Sequence, residues 1–459
     1  MNLIRSISGI RGIVGKTIDT STVELYCNAF ANIQSPGKIA IARDGRDPGK
    51  NLYISAIEAL TANKRKVILL DIAPTPTVQY ITKKYDLAGA VIITASHNPQ
   101  GWNGIKLVDE KGIFINNKKF AEICKEVDRN NQLKSVHAEN FSFIKKNFKY
   151  IYEHIHDTLK LSYINKEKIQ KKKFRVSVDA VNSSCSNAIP SLLKELGCET
   201  SIINCLANGK FTRSPEPLPE NLKALSKDVI NNKSDFGLAF DPDGDRLSIV
   251  DNNGVAIGEE YTLPICAWGY YQLTNSRSPI VTNLSTSMLV QSIAKKFNVK
   301  VIQTKIGEIN VVNKMIELNA EFGGEGNGGV ILNDSHLGRD AIVATTLLIA
   351  TLSELNIKLS EIIKMLPKFF IVKDKIENDK ISIESLLDPI SNSFKKSPCS
   401  ISTEDGIKVI FLENEDNEGA WVHVRKSNTE PIYRIYSEST SLKKSKSLIK
   451  KIKQIINSN

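Results

Sequence analysis

Residues 91–106 read VIITASHNPQGWNGIK. Val91-Ile92-Ile93 is a short apolar run of the kind a buried strand shows. It breaks into Ala95-Ser96-His97-Asn98-Pro99, followed by Gly101, Asn103 and Gly104. A small hydroxyl residue, Ser96, thus stands just past a strand end. Pro and Gly let the turn beyond it bend sharply and approach a ligand. In α/β sheets, ligands bind outside the carboxyl ends of strands. The stretch predicts an α/β fold and offers Ser96 as a nucleophile with Lys106 as a charged partner. By itself it favours the plainer reading, a polar serine in a loop. The rest of the chain decides between the two.

Working outward, strand and helix patterns alternate: strands at 38–42, 67–70 and 91–94, helices at 49–62 and 77–85. This is the βαβ rhythm of a mainly parallel sheet. It restarts at Phe174 and again near Gly258. Each time a buried strand runs into a distinctive loop, Asp241-Pro242-Asp243-Gly244-Asp245-Arg246 and then Gly323-Gly324-Glu325-Gly326-Asn327-Gly328-Gly329. From Phe369 the pattern changes, with strands clustering and outnumbering helices, as in a smaller α+β unit. The expectation is three related α/β domains with mixed or parallel sheets, then a smaller α+β domain.

Length agrees, since 459 residues exceed one ordinary core. No apolar run is long enough to span a bilayer, and the start, MNLIRSISGIRG, lacks the features of a signal peptide. Seven cysteines, none in a C-x-x-C pair, suggest neither a zinc site nor a disulfide framework, so a reducing cytoplasm is expected. The net charge of +11 raises nucleic-acid binding. The basic runs, such as Lys171-Lys172-Lys173, lack interleaved aromatics that would stack on bases, so a lysine-rich solvated surface is the better reading. The field still favours an anionic substrate.

Asp241, Asp243 and Asp245 are spaced so that alternate side chains converge in an extended or tightly turned segment. Converging carboxylates are costly without a cation, and an all-oxygen site suits Mg²⁺. Arg425, Ser427, Asn428, Thr429 and Arg434 gather guanidiniums, hydroxyls and an amide in one hairpin-like loop, a set suited to phosphate. Glu325, within a glycine run, can accept hydrogen bonds from vicinal hydroxyls. Arg11 lies between Gly9 and Gly12, either in a surface turn or held close to an anion. Together these imply phosphoryl transfer on a phosphosugar.

These motifs carry a resemblance. TASHNP at 94–99, DPDGDR at 241–246, GGEGNGG at 323–329 and RKSNTEPIYR at 425–434 stand in the order and spacing of the α-D-phosphohexomutases. The SGIRG start and the G-E-x-N-G form resemble the archaeal-type phosphoglucosamine mutase branch, with phosphomannomutase/phosphoglucomutase close by. The resemblance implies four domains around a central cleft, drawn at 1–155, 156–255, 256–367 and 368–459. It implies that Ser96 carries a phosphoryl group and joins Asp241, Asp243 and Asp245 around Mg²⁺. A 1,6-bisphosphate would be intermediate and activator. Lys106 becomes the candidate for proton transfer, and Arg11 and Arg246 for charge stabilisation, with His97 beside them. Glu325 and Asn327 would meet the sugar, and Arg425, Ser427, Asn428, Thr429 and Arg434 the idle phosphate.

Two departures stand out. Asn327 and Gly329 occupy places where many bacterial members have Ser and His. In the loop Thr304-Lys305-Ile306-Gly307-Glu308, Glu308 stands where hexose-type members often have His; a carboxylate there can pair with an amino sugar's ammonium, so Gly307 and Glu308 join the sugar candidates. The expected activity is interconversion of glucosamine 6- and 1-phosphates, by a monomer or homodimer. The alternatives are a phosphomannomutase/phosphoglucomutase, an inactive phosphosugar-binding protein and a sugar phosphatase.

Overall fold

The computed structural model describes residues 3–129, 148–377, 382–395, 397–412, 419–427 and 432–458. Asn428 and Thr429 lie outside them.

The described residues form four sheets. The first three repeat one pattern. A central strand (Ile39–Arg43, Arg175–Asp179, Ile280–Asn283) pairs in parallel with a strand on each side. On one side lie Val67–Ile72, Glu199–Ile203 and Val301–Thr304; on the other lie Gly89–Ile93, Phe236–Phe240 and Phe322–Glu325. The chain then turns back into an antiparallel strand, Trp102–Val108, Leu247–Val250 or Gly329–Leu332. The three motif loops are these three turns. The expectation of related α/β units with mixed sheets therefore holds, and the equivalence lies in topology.

Near-continuous apolar strands such as Gly89–Ile93 and Phe236–Phe240 are buried throughout. Helices cover both faces, as parallel pairing requires. Helix Ala341–Leu355 is apolar on nearly every side because it is interior, packed on helix Thr262–Thr274. One hydrophobic core runs through the first three units. No single helix among the described residues is long and apolar enough to cross a membrane.

The fourth sheet is antiparallel, in the order Phe370–Ile376, Tyr433–Ser439, Ala420–Lys426, Ile407–Phe411 and Cys399–Ser402. Helix Leu442–Ser458 packs on it with its own core. This is the expected α+β unit.

Two elements depart from expectation. Gly9–Ile13, which reads as a turn, is a strand, and so is Trp102–Val108; they pair antiparallel and extend the first sheet. Gly104 explains the close approach: a Cβ there would meet Ile10 O at 2.3 Å and Thr94 O at 2.8 Å.

Candidate active site

Ser96 ends the run from strand Gly89–Ile93 in a left-handed turn, with φ 51°. A non-glycine residue keeps that conformation only when its surroundings over-determine it. Here they do. Arg46 donates to the carbonyls of Ser96 (2.8 Å) and Asn98 (2.5 Å), and is itself paired with Asp44. Asp44 also accepts from Thr94 Oγ1 at 2.7 Å, and that hydroxyl accepts from Ser96 N at 2.9 Å. The serine is fully buried, with Oγ donating to Asp241 Oδ2 at 3.2 Å.

The 241–246 loop meets it from the second unit. Thr75 binds Asp243 twice, through N to the carbonyl (2.8 Å) and Oγ1 to Oδ2 (3.0 Å). Leu247 N reaches Gly328 O at 3.0 Å and Ala341 N reaches Gly244 O at 3.3 Å. The three turns are thus tied together. One carboxylate oxygen from each of Asp241, Asp243 and Asp245 lies within 4.8 Å of the others. Asp243 Oδ1 and Asp245 Oδ1 are buried and take no hydrogen bond among the described residues. These oxygens fit a hard cation.

Charge is balanced around the triad. Lys106 Nζ lies 2.5 Å from Asp243 Oδ2 and 3.4 Å from Asp245 Oδ2. Burial disfavours its charge, but the two carboxylates outweigh that and raise its pKa. Burial likewise works against Asp243, yet Lys106 and its hydrogen bonds hold it well below the usual carboxylate range. Asp241 goes the other way, raised by burial and then by Asp245 and Asp243. Arg246 donates to His97 Nδ1 at 3.2 Å. A guanidinium only donates, so His97 accepts and is neutral. Burial, with Arg246 and Arg11 nearby, pushes its pKa well down. Arg11 reaches Asn98 Oδ1 at 3.1 Å and Ser8 O at 3.2 Å, and burial lowers its pKa to about 10.

Arg339 joins the loops and has no motif to announce it. It donates to Asp245 Oδ2 (2.5 Å), Glu308 Oε2 (2.8 Å) and Glu325 Oε2 (2.8 Å). Glu308 also accepts from Gln79 Nε2 at 3.1 Å. Both oxygens of Glu308, the candidate partner for an amino sugar, are turned onto Arg339 and Gln79, and burial raises its pKa. Glu325 accepts from Asn283 (2.7 Å), Gly307 N (3.1 Å), Arg339 and, at 3.4 Å, Asn327.

Arg425 and Arg434 pair in register across the hairpin of the fourth unit, closed by Ser427 N to Ile432 O at 2.9 Å. That unit sits on the third. Glu438 accepts from Ser287 Oγ (2.5 Å) and Met288 N (2.7 Å), and Asp405 Oδ2 accepts from Ile306 N at 2.9 Å.

Residues 3–134, 152–254 and 259–370 match α/β/α domains I, II and III of phosphoglucomutase/phosphomannomutase. The chain belongs to the phosphoglucomutase/phosphomannomutase family. It is 34% identical over 446 residues to a phosphoglucomutase/phosphomannomutase of Thermococcus kodakarensis, covering 95% of each chain. It is 31% identical over 461 residues to a phosphoglucosamine/phosphogalactosamine mutase of Sulfurisphaera tokodaii, covering 99% of each. The fold of this family member also matches a crystal structure of a family protein from Burkholderia thailandensis, with TM-score 0.81 and 22% identity over 99% of this chain and 97% of that one.

Proposed function

We propose that this mutase moves a phosphoryl group between the 6- and 1-oxygens of a hexosamine phosphate, with glucosamine 6-phosphate and glucosamine 1-phosphate as its pair. Ser96 carries the group as phosphoserine, a 1,6-bisphosphate is the intermediate, and catalytic bisphosphate is the activator. The observation that carries this reading is the buried Ser96 Oγ, locked in a left-handed turn 3.2 Å from Asp241 Oδ2 among matched carboxylates and cations.

In the first half-reaction the bond from phosphorus to Ser96 Oγ breaks and one to the sugar's free hydroxyl forms; the hydroxyl proton ends on Oγ. Lys106, protonated in its ion pairs, is assigned to relay that proton: it gives one to Oγ and regains the one the hydroxyl loses, and the relay runs in reverse when the other phosphate returns. Arg11 and Arg246 face the charge that builds on the phosphoryl oxygens, and neutral His97 orients Arg246. Asp241, Asp243 and Asp245 would hold Mg²⁺, which when bound supplies further positive charge to those oxygens. Glu325 and Asn327 meet sugar hydroxyls, the 3.4 Å contact between them being the one most readily exchanged. Arg425, Ser427 and Arg434, with Asn428 and Thr429, grip the phosphate that is not reacting. A fixed grip there lets either end of the bisphosphate face the same serine. The enzyme would act in the cytoplasm on a free phosphosugar.

The test is turnover of glucosamine 6-phosphate with catalytic 1,6-bisphosphate. Formation of the 1-phosphate without stoichiometric inorganic phosphate is expected; phosphate release in its place overturns the mutase. The substrate is decided by kcat/KM on glucosamine, glucose and mannose phosphates. A preference for glucose or mannose moves the chain to the activity named for the Thermococcus relative.

A further inference from the structure

A second cluster of ligand-type side chains lies behind the triad. His154, from helix Lys149–Leu159, meets His336 and Asp340, from the turn before helix Ala341–Leu355, with one ligand atom of each within 4.8 Å of the others. All three residues are at most 1% exposed. His154 Nε2 stands 3.0 Å from Asp340 Oδ2, and His336 Nδ1 stands 3.6 Å from the same oxygen. His154 Nε2 and Asp340 Oδ2 thus face each other, while His336 Nε2 is buried with no hydrogen-bond partner among the described residues. Buried polar atoms are ordinarily partnered.

The remaining atoms are committed elsewhere. Asp340 Oδ1 caps helix Ala341–Leu355, accepting from Ile342 N at 2.7 Å and Val343 N at 3.3 Å. That leaves Oδ2 aimed at the histidines. His154 Nδ1 lies 3.1 Å from Thr77 Oγ1, and Tyr80 stacks on the ring with centroids 4.6 Å apart. Stacking fixes the plane of the ring and Thr77 anchors Nδ1, leaving Nε2 as the ligand atom; metal-ligating histidines are oriented through their second nitrogen in this way.

We propose that His154, His336 and Asp340 form a structural site for a first-row transition-metal ion of the Zn²⁺ class, separate from the carboxylate triad. Imidazoles with one carboxylate suit Zn²⁺, whereas Mg²⁺ prefers oxygen alone. Three protein ligands leave a fourth position for a water. The ion fastens helix Thr75–Lys84, through Thr77, and helix Lys149–Leu159 to the turn that carries Arg339. It thereby steadies the residue that spans Asp245, Glu308 and Glu325.

The test uses full-length protein, stripped with chelator and kept in excess Mg²⁺ so that the carboxylate triad is saturated. Titration with Co²⁺ should show one ion per chain with the visible bands of a four-coordinate site, displaced by Zn²⁺. His154→Gln and His336→Gln should each weaken Co²⁺ binding about 10–100-fold, while Asp243→Asn leaves it intact. Zn²⁺ should raise the Tm of the wild type and not of the histidine variants. If folded wild type binds no Co²⁺, or the histidine variants bind it equally well, the site is a metal-free cluster and the proposal falls. Should His154→Gln fail to fold by circular dichroism, the wild-type spectrum and His336→Gln decide.

Discussion

In the first three units the candidate site residues stand at a turn between a parallel strand and its antiparallel neighbour, at 94–101, 241–246 and 325–328. In the fourth they stand on a hairpin, where Arg425 faces Arg434 in register. The turns are interior. Ser96, Asp241, Asp243, Asp245 and Glu325 are all buried, and each is braced by side chains from elsewhere in the chain. The hairpin guanidiniums are half-buried. Ionic groups taken out of water are strongly interdependent, whereas a half-buried charge keeps much of its hydration. Losing a residue from a turn should therefore damage chemistry, and often stability with it. Losing one from the hairpin should cost affinity.

The sharpest way to break this comparison is Ser96→Ala. Turnover should fall by about 10⁴-fold or more while calorimetry finds substrate binding within about threefold of wild type. Activity near wild type would remove the phosphoserine mechanism. Next is Arg339→Met, which leaves Asp245, Glu308 and Glu325 without their shared cation. Breaking a buried network in this way costs about 3–5 kcal/mol, read as a lower denaturation midpoint, with kcat down about 100-fold. Unchanged stability would mean that the turns are braced without it. Arg425→Ala should raise KM about 10–100-fold, leave kcat within a few fold, and change stability by less than about 1 kcal/mol. A collapse of kcat with KM unmoved would place the hairpin in the chemistry itself.

The turns were legible because each combines an apolar strand with side chains whose chemistry is informative wherever they sit. Strand Gly9–Ile13 was not, because two glycines around an arginine look like a turn. Only pairing with Trp102–Val108 and the burial of Arg11 make it a strand. Arg339 and the Asp44–Arg46 pair are isolated charges with no local period, joined to the site by contacts across the fold. A weak signal for Arg339 did exist: a helix apolar on all sides from Ala341 has an interior N-terminus, so the Arg-Asp before it must be buried and paired. The position of Glu308 follows from the loop, but its direction is set by Arg339 and Gln79, which no local pattern announces.

The smallest predicted effect concerns acid, and it separates the hairpin's seat from the turns. His423 bridges the fourth and third units, with Nε2 at 2.5 Å from Asp405 O and Nδ1 at 2.9 Å from Ser285 Oγ. A carbonyl only accepts, so Nε2–H donates to it; burial disfavours the charged ring, which leaves Nδ1 bare to accept the serine hydroxyl. Burial pushes its pKa down from 6.5 to about 4. Because the folded value lies below the unfolded one, the unfolded chain binds the extra proton between them. The contribution is therefore complete above pH 6.5 and is lost as pH falls towards 4. At pH ~5 the loss from this ring is about 2 kcal/mol. Other buried imidazoles, His97 and His336, titrate against the fold in the same direction, so the wild-type slope alone is not diagnostic. The difference is: denaturant unfolding at pH ~7, ~6 and ~5 should show His423→Asn losing about 2 kcal/mol less than wild type across that range. KM for the phosphosugar should rise on acidification before kcat falls, since Asp405, the partner of His423, also holds Ile306 N beside the sugar loop. Parallel pH curves for the two proteins would mean that the ring is not held neutral, and that the fourth unit is seated by Glu438 and its contacts with Ser287 and Met288 instead.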